Sequence, residues 1–373
     1  MRKMELREAE IIRDKDEMRR WSRRMRSQGK TIGLVPTMGY LHQGHISLIK
    51  EAHKHTDLIV VSIYVNPGQF APSEDLSTYP SDFHGDLQKL MAVPGGVDAV
   101  FHPHNLYDYG SVGGGGRSGD CDVREEGKGV ISCLEERGFG HETWVRVERL
   151  EKSMCGKSRP VFFRGVATIV SKLFNIVEPD AAVFGKKDYQ QWRIISRMVR
   201  DLDFAIKVIG SEIVRDADGL AMSSRNVHLS PEEREKALSI NRSLSRAKFA
   251  AEKGQTNCRE LRDLVIQAIE EAGGRIDYAE VRQEKLSSSK IVLSWPGSDV
   301  LQTKFPSLET VVCDTESHCI ILPVDMRLMF NSTVQIVEQE SLEAVEEIRN
   351  PVVFCVAARF GKVRLLDNME IHA

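Results

Sequence analysis

Long apolar runs are missing from this 373-residue sequence. Nowhere do about 18 consecutive apolar residues occur, which argues against a membrane span. Residues 1–26, studded with Arg, Glu and Asp, hold no apolar core of the kind a secretory signal needs. Charge of one sign is not in excess either. The 51 Lys and Arg stand against 54 Asp and Glu, a net of −3, which gives no general pull toward nucleic acid. Seven cysteines stand at 121, 133, 155, 258, 313, 319 and 355, an odd number without close metal-ligand pairs, and a poor disulfide framework. The expectations are a cytoplasmic location, no membrane association and no nucleic acid partner. A hydrophobic content of 41% excludes wholesale disorder, and the length exceeds one usual domain, so two packed domains are expected.

What is present is an alternation of helix and strand patterns. Met18, Trp21 and Met25 recur at helical spacing between Lys15 and Gln28, and Gly29 ends the pattern. Thr31 to Pro36 reads as a short strand and His45 to His53 as a helix. Leu58 to Val65 is an apolar run rich in β-branched residues, as in a strand buried on both faces of a parallel sheet. Asp86 to Met91 and Thr168 to Val177 read as helices, and Asp98 to Phe101 and Ala181 to Phe184 as strands. This order predicts an α/β fold, a doubly wound Rossmann-like parallel sheet over residues 1–225. Pro231 to Lys253 and Cys258 to Ala272 read as helices, and Asp277 to Glu280 and Val352 to Ala357 as strands. They predict a smaller α+β C-terminal domain over residues 226–373.

Two stretches break the rhythm. Residues 109–140 contain four consecutive glycines, Gly113 to Gly116, with no strand leading in and no Lys-Ser or Lys-Thr following, so they read as a mobile surface insertion rather than a phosphate cradle. Residues 281–335 show neither period, only Ser287-Ser-Ser289, Trp295-Pro-Gly297 and scattered apolar residues. Removing them joins Ile276-Asp-Tyr-Ala-Glu280 to Ile336-Val-Glu338, and codons for Val281-Arg282 and Gln335 can match intron ends. The stretch therefore reads as an unstructured insertion or as an unspliced in-frame intron.

Four motifs carry chemistry. Pro36-Thr37-Met38-Gly39-Tyr-Leu-His42-Gln-Gly-His45 runs from a strand end into a helix start, where doubly wound folds bind ligands. His42 and His45, three apart, fall on one side of the first turn, near N–H groups that favour anions. Imidazoles there can stabilise charge building on phosphate oxygens, or one can cap the loop, or the pair can bind a metal. Phe184-Gly185-Lys186-Lys187-Asp188-Tyr-Gln-Gln191 follows another strand and reads as a phosphate-binding cation with polar substrate ligands, or as a solvated charge cluster. Met222-Ser223-Ser224-Arg225 offers two hydroxyls and a guanidinium suited to a triphosphate. Asn66-Pro-Gly-Gln69-Phe, after the strongest strand, offers amides for a hydroxyl or a carboxylate.

Together these motifs resemble the pantothenate synthetase (pantoate:β-alanine ligase) family of the nucleotidyltransferase superfamily, over most of residues 30–280 and 336–370. Gly68, Lys186 and the glycine-rich insertion before Cys133-Leu-Glu-Glu are similar to plant members. Where many bacterial members have Arg-Pro-Gly-His-Phe, this chain has Arg159-Pro-Val161-Phe162-Phe163, so any role of that histidine is not carried over. The resemblance implies ligation of pantoate and β-alanine through a pantoyl adenylate, with ATP as substrate, Mg2+ on the phosphates and a homodimer. It implies that Met38, Gly39, His42, His45, Gly185, Lys186, Lys187, Asp188, Val214, Met222, Ser223, Ser224 and Arg225 form the ATP site. His45, His42, Lys187 and Arg225 would be the catalytic groups. Gln69 and Gln191, with Asn66, Thr37 and Tyr79, would hold pantoate. Asp86 is a metal-ligand candidate or a solvated helix carboxylate. A cytidylyltransferase-type enzyme, a silent nucleotide-binding regulator and a tRNA-charging enzyme are the competing readings.

Overall fold

The computed structural model describes residues 9–71, 74–107, 141–277, 310–313, 319–322 and 334–372. The first part of the chain runs β1 (Glu10–Ile12), α1 (Lys15–Ser27), β2 (Ile32–Thr37), α2 (Gln43–Ala52), β3 (Leu58–Ile63), α3 (Phe83–Met91) and β4 (Ala99–Phe101). After residue 140 follow α4 (Cys155–Ser158), α5 (Phe162–Val177), β5 (Ala181–Gly185), α6 (Tyr189–Asp201) and β6 (Lys207–Ser211). Six of these strands form one parallel sheet in the order β1-β4-β3-β2-β5-β6. All six residues of β3 are buried, which is what its unbroken apolar run requires of a central strand covered on both faces.

The two faces have separate cores. On one, Met18 and Trp21 of α1 and Val170, Phe174, Ile195 and Met198 of α5 and α6 pack on Leu34, Val60 and Phe101. On the other, Ile46 and Ile49 of α2 and Leu90 of α3 pack on Val35, Val61 and Val100. Asp14 starts α1 by accepting from the Asp16 and Glu17 N–H groups at 2.9 and 2.8 Å. Strand order reverses between β2 and β5, so the loops leaving these two neighbours diverge and open a crevice at their C-terminal ends. Two of the motifs singled out above leave from those two ends.

Residues 231–372 add α7 (Pro231–Glu252), α8 (Cys258–Glu271), β7 (Arg275–Ile276), β8 (Thr310–Cys313), β9 (Cys319–Leu322), β10 (Gln335–Glu338), β11 (Val352–Phe360) and β12 (Val363–Ile371). Pro231 at the first helical position and a reciprocal Ser230–Glu233 capping box start α7. The helices α7 and α8 pack on an antiparallel sheet of β7, β10, β11 and β12 through Leu244, Val265, Phe354 and Phe360. Ile276 pairs with Ala358 and Gln335 with Cys355, so β7 and β10 lie end to end along β11.

Residues 281–335 were expected to carry no regular structure. Two short β-branched runs within them pair instead as β8 and β9, antiparallel to one another, and Gln335 opens β10. Such runs can pair with each other without any longer period, so the missing period does not preclude a ladder. The remainder of 281–333, and with it the intron question, lies outside the described residues, as does the glycine-rich stretch 109–140. Among the described residues no helix is long and apolar enough to cross a membrane.

Helix α5 begins six residues earlier than its apolar period suggested, and those residues reach the crevice. Gly165 there lets the Asn66–Gln69 turn lie directly on the helix. A Cβ at this position would meet the Gly68 carbonyl oxygen at 1.9 Å and the Gln69 nitrogen at 2.7 Å. Gly165→Ala is therefore expected to cost about 1–3 kcal/mol by overpacking and to displace Gln69. Chemical denaturation checks the first effect, and an unchanged unfolding midpoint would refute the contact.

Candidate active site

A cavity of about 780 Å3 occupies the crevice, lined by the ends of β2, β3 and β5, by α5 and by the β11–β12 hairpin. Its size suits a nucleotide together with a small acid. The β2–α2 loop turns at Gly39, whose φ of +85° falls in the left-handed region that favours glycine. At the helix start the two histidines form a reciprocal cap. His42 Nδ1 accepts from the Gly44 N–H at 3.1 Å, and His45 Nδ1 accepts from the His42 N–H at 3.2 Å. Their ring centroids lie 4.1 Å apart, and both rings line the cavity. With each Nδ1 accepting, the proton of each neutral ring sits on Nε2 as a donor. Burial, aided by the Lys187 charge, lowers the His42 pKa to about 4. Burial and the neighbouring His42 hold His45 well below the ordinary value. The capping reading is met by this geometry, and the cap uses Nδ1 and leaves each Nε2–H uninvolved in it.

Lys187 and Asp188 stand on the turn between β5 and α6, the Lys187 Nζ at 3.4 Å from both Asp188 oxygens. Across the cavity, Ser223 caps the turn that carries Arg225, accepting from the Arg225 N–H at 3.3 Å. Arg225 makes a bidentate pair with Asp75 at 2.7 and 3.0 Å and lies over the Tyr79 ring. Burial would raise the Asp75 carboxyl, but the hydrogen bond and charge of Arg225 outweigh it and hold the pKa below the usual range. Burial raises the Tyr79 hydroxyl. Ser224 donates to the Tyr40 carbonyl at 3.3 Å, and the Met222 N–H donates to the Val214 carbonyl at 3.0 Å.

At the other end Gln69 accepts from Asn66 Nδ2 at 3.0 Å and donates to the Met38 sulfur at 3.2 Å. Gln191, on the first turn of α6, also lines the cavity. Arg159 pairs with Glu74 at 2.6 and 2.8 Å, donates to the Gln69 carbonyl at 3.2 Å and lies 3.7 Å over the Phe162 ring. The cavity therefore has a phosphate-suited end of imidazoles, lysine and arginine, and an amide-lined end closed by α5.

Comparison with known proteins decides the family. The Pantoate-beta-alanine ligase family model matches residues 10–304. The pantoate-beta-alanine ligase of Lotus japonicus is 62% identical over 363 residues, covering 97% of this chain and 98% of that protein. The chain belongs to the pantoate-beta-alanine ligase family. A solved pantothenate synthetase from Thermus thermophilus is similar at 32% identity and a TM-score of 0.69, covering 98% of this chain and 100% of its own. The pantoate-beta-alanine ligase of Francisella tularensis, solved with beta-gamma ATP and beta-alanine, is 25% identical with a TM-score of 0.61, covering 97% of both chains.

Against this family background some sequence expectations need correction. Asp86 is neither solvated nor free for a metal. It is 1% exposed, and its carboxylate accepts from the Tyr40 and Leu41 N–H groups at 2.7 and 2.6 Å. Burial nonetheless raises its pKa, the two backbone donors opposing. It holds the β2–α2 loop in shape. Lys186 does not line the cavity: its ammonium pairs with Glu370 at 3.0 Å and with the cavity residue Glu212 at 2.5 Å, and so tethers the C-terminal sheet. Asn66 and Thr37 line the cavity, but their polar groups are engaged. Asn66 bonds Gln69, the Gly165 carbonyl, the Gly68 N–H and the Tyr107 hydroxyl. Thr37 donates to the Ser62 carbonyl at 2.8 Å and accepts from the Gly39 N–H. Gly39 shapes the loop without lining the cavity. Glu74, Asp75 and the role of Arg159 were missed, because ion pairs between residues 85 and 150 positions apart leave no local pattern.

The histidine pair predicts a pH dependence of stability. In the unfolded chain both rings take a proton near pH 6.5, whereas folded His42 does so only near 4 and His45 is shifted in the same direction. Between these values the unfolded state binds more protons, so stability is full above about pH 6.5 and is lost as the pH falls toward 4. Each ring can contribute a slope of up to about 1.4 kcal/mol per pH unit. Urea midpoints of the native protein should therefore fall more steeply over this range than those of a His42→Asn/His45→Asn variant. Equal slopes would show that the folded rings titrate normally.

Proposed function

We propose that the chain joins pantoate to β-alanine with ATP in two displacements at this one cavity. In the first, a pantoate carboxylate oxygen attacks the α-phosphorus and forms a C–O–P link as the bond to the β-phosphate oxygen breaks and pyrophosphate leaves. In the second, the β-alanine amine attacks the acyl carbon, the C–N bond forms, the C–O bond to AMP breaks and the amine gives up a proton. No protein nucleophile is needed; the chain supplies charge stabilisation and dry shelter for the adenylate. The observation that carries this reading is the juxtaposition, in one cavity, of the Nε2–H groups of His42 and His45, Lys187 and Arg225 with Gln69 and Gln191.

In this reading His45 and His42 donate to phosphate oxygens as charge builds, and Lys187 and Arg225 neutralise the triphosphate. Met38, Gly185, Asp188, Val214, Met222, Ser223 and Ser224 complete the nucleotide end, while Gln69, Gln191 and Tyr79 hold pantoate. Mg2+, if bound together with ATP, would supply further charge neutralisation at this end. The donor set fits an ion held mainly by phosphate and water: among the described cavity carboxylates, Glu74 and Asp75 are paired with arginines and Glu212 with Lys186, while Asp188 is more loosely paired, at 3.4 Å from Lys187.

The decisive assay is formation of AMP and pyrophosphate that requires both pantoate and β-alanine. AMP release with ATP alone, or none with all three, would overturn the reading. Ala at Gln69 or Gln191 should raise the pantoate KM roughly 10-fold, the loss of about one hydrogen bond to a charged group, with the ATP KM little changed. An effect confined to ATP would remove both residues from the pantoate site.

A further inference from the structure

We infer that Asn368, in the C-terminal sheet, is a positioning residue for the first displacement and acts through Lys187. The inference rests on the reading of Lys187 as a phosphate ligand. The segment Lys186–Asp188 is a single 3-10 turn between β5 and α6, too short to satisfy its own carbonyls. Asn368, on β12 and 4% exposed, supplies the missing donors: its Nδ2 bonds the Lys186 carbonyl at 2.8 Å and the Lys187 carbonyl at 2.9 Å. Only the NH2 end of an amide can face two carbonyl oxygens, so chemistry fixes the orientation.

The neighbouring strand position points the other way, as alternate strand residues do. Asp367, also 4% exposed, makes a bidentate pair with Arg215 at 2.6 and 2.8 Å. Arg215 bridges to Ala221, directly ahead of the Met222–Arg225 segment. Glu370, two positions beyond Asn368, adds the ion pair to Lys186 at 3.0 Å. Strand β12 thus passes between the two loops that bear Lys187 and Arg225 and is tied to each by a buried polar side chain. Removing the Asn368 amide leaves two turn carbonyls without their donor, and the turn that aims Lys187 relaxes.

A double-mutant cycle of Asn368→Ala and Lys187→Ala, read as pyrophosphate release by the full-length enzyme, tests this. Asn368→Ala alone should lower the first-step kcat roughly 10–100-fold, as small misplacements of a charge-stabilising group do, with the pantoate KM within about twofold. In the Lys187→Ala background the same substitution should cost less than about threefold, because its route is already gone. A loss that persists undiminished in that background, or wild-type kcat in a folded Asn368→Ala enzyme, overturns the inference. Unchanged turnover in Lys187→Ala itself would instead sink the reading of Lys187, a separate and recognisable outcome. If Asn368→Ala does not fold, Asn368→Asp keeps the shape, removes both donors and enters the same cycle. Failure of both to fold would place Asn368 in folding rather than in positioning and would also overturn the inference.

Discussion

Replacing His45 with alanine should lower kcat by roughly 10²–10³ while leaving the ATP KM within about threefold. On the proposed reading, the ground-state triphosphate already carries its charge and meets Lys187 and Arg225. What changes in the displacement is the charge shifting onto the oxygens around the α-phosphorus, and a fixed neutral Nε2–H donor responds to that change alone. Because Nδ1 is held by the His42 N–H at 3.2 Å, the ring need not reorient when the charge develops. A neutral donor also implies that His45 introduces no break in the rate near pH 6.5, since its folded pKa lies well below that. The substitution removes half of a helix cap as well, worth about 1 kcal/mol of stability. Melting temperatures must therefore accompany the kinetics, and a variant that is folded and turns over at a near-normal rate would disprove the role.

The parts of this site that were legible in the sequence are those written locally. The β3 run announces a two-face-buried strand, and β2 and β5 each carry a motif straight into a helix, so local sequence alone places the crevice. Histidines three apart at a helix start could be set on one side of one turn. The edge strand β1, with three residues, was too short to show a pattern, and β6 reads as Lys-Val-Ile-Gly-Ser without a long apolar run. Strand β12 alternates between buried and half-exposed positions but includes Asp367 and Asn368 among its buried ones, which hid it from any hydrophobic pattern. Those two residues are buried because they serve loops about 150 and 180 positions earlier in the chain, a relation only the fold creates. Asp86 misled for the same reason: its backbone partners lie 45 and 46 positions upstream, so a helical carboxylate looked solvated or metal-facing.

Lys187→Ala should divide the two displacements more sharply than any other single change, slowing pantoyl adenylate formation roughly 10²–10³-fold and its capture by β-alanine less than about tenfold. On the proposed reading, a pyrophosphate leaves in the first step and negative charge grows at the phosphate end, next to the lysine. In the second the reacting carbon is the acyl carbon, and the phosphate of the departing AMP changes its charge far less. Arg225 offers a useful contrast, because its guanidinium is already matched by a bidentate Asp75 at 2.7 and 3.0 Å. That pairing offsets part of its field at the cavity, so Arg225→Ala should cost only about tenfold in the first step, the effect of a charge partly compensated by its partner. Lys187 has only the looser approach to Asp188 at 3.4 Å, which leaves more of its charge for a ligand. Rapid-quench measurement of pyrophosphate from ATP and pantoate reports the first step, and pantothenate formed from supplied pantoyl adenylate and β-alanine reports the second. Slower capture with adenylate formation intact would assign Lys187 to the wrong displacement, and a greater loss from Arg225→Ala than from Lys187→Ala would mean that Asp75 releases the arginine when nucleotide binds.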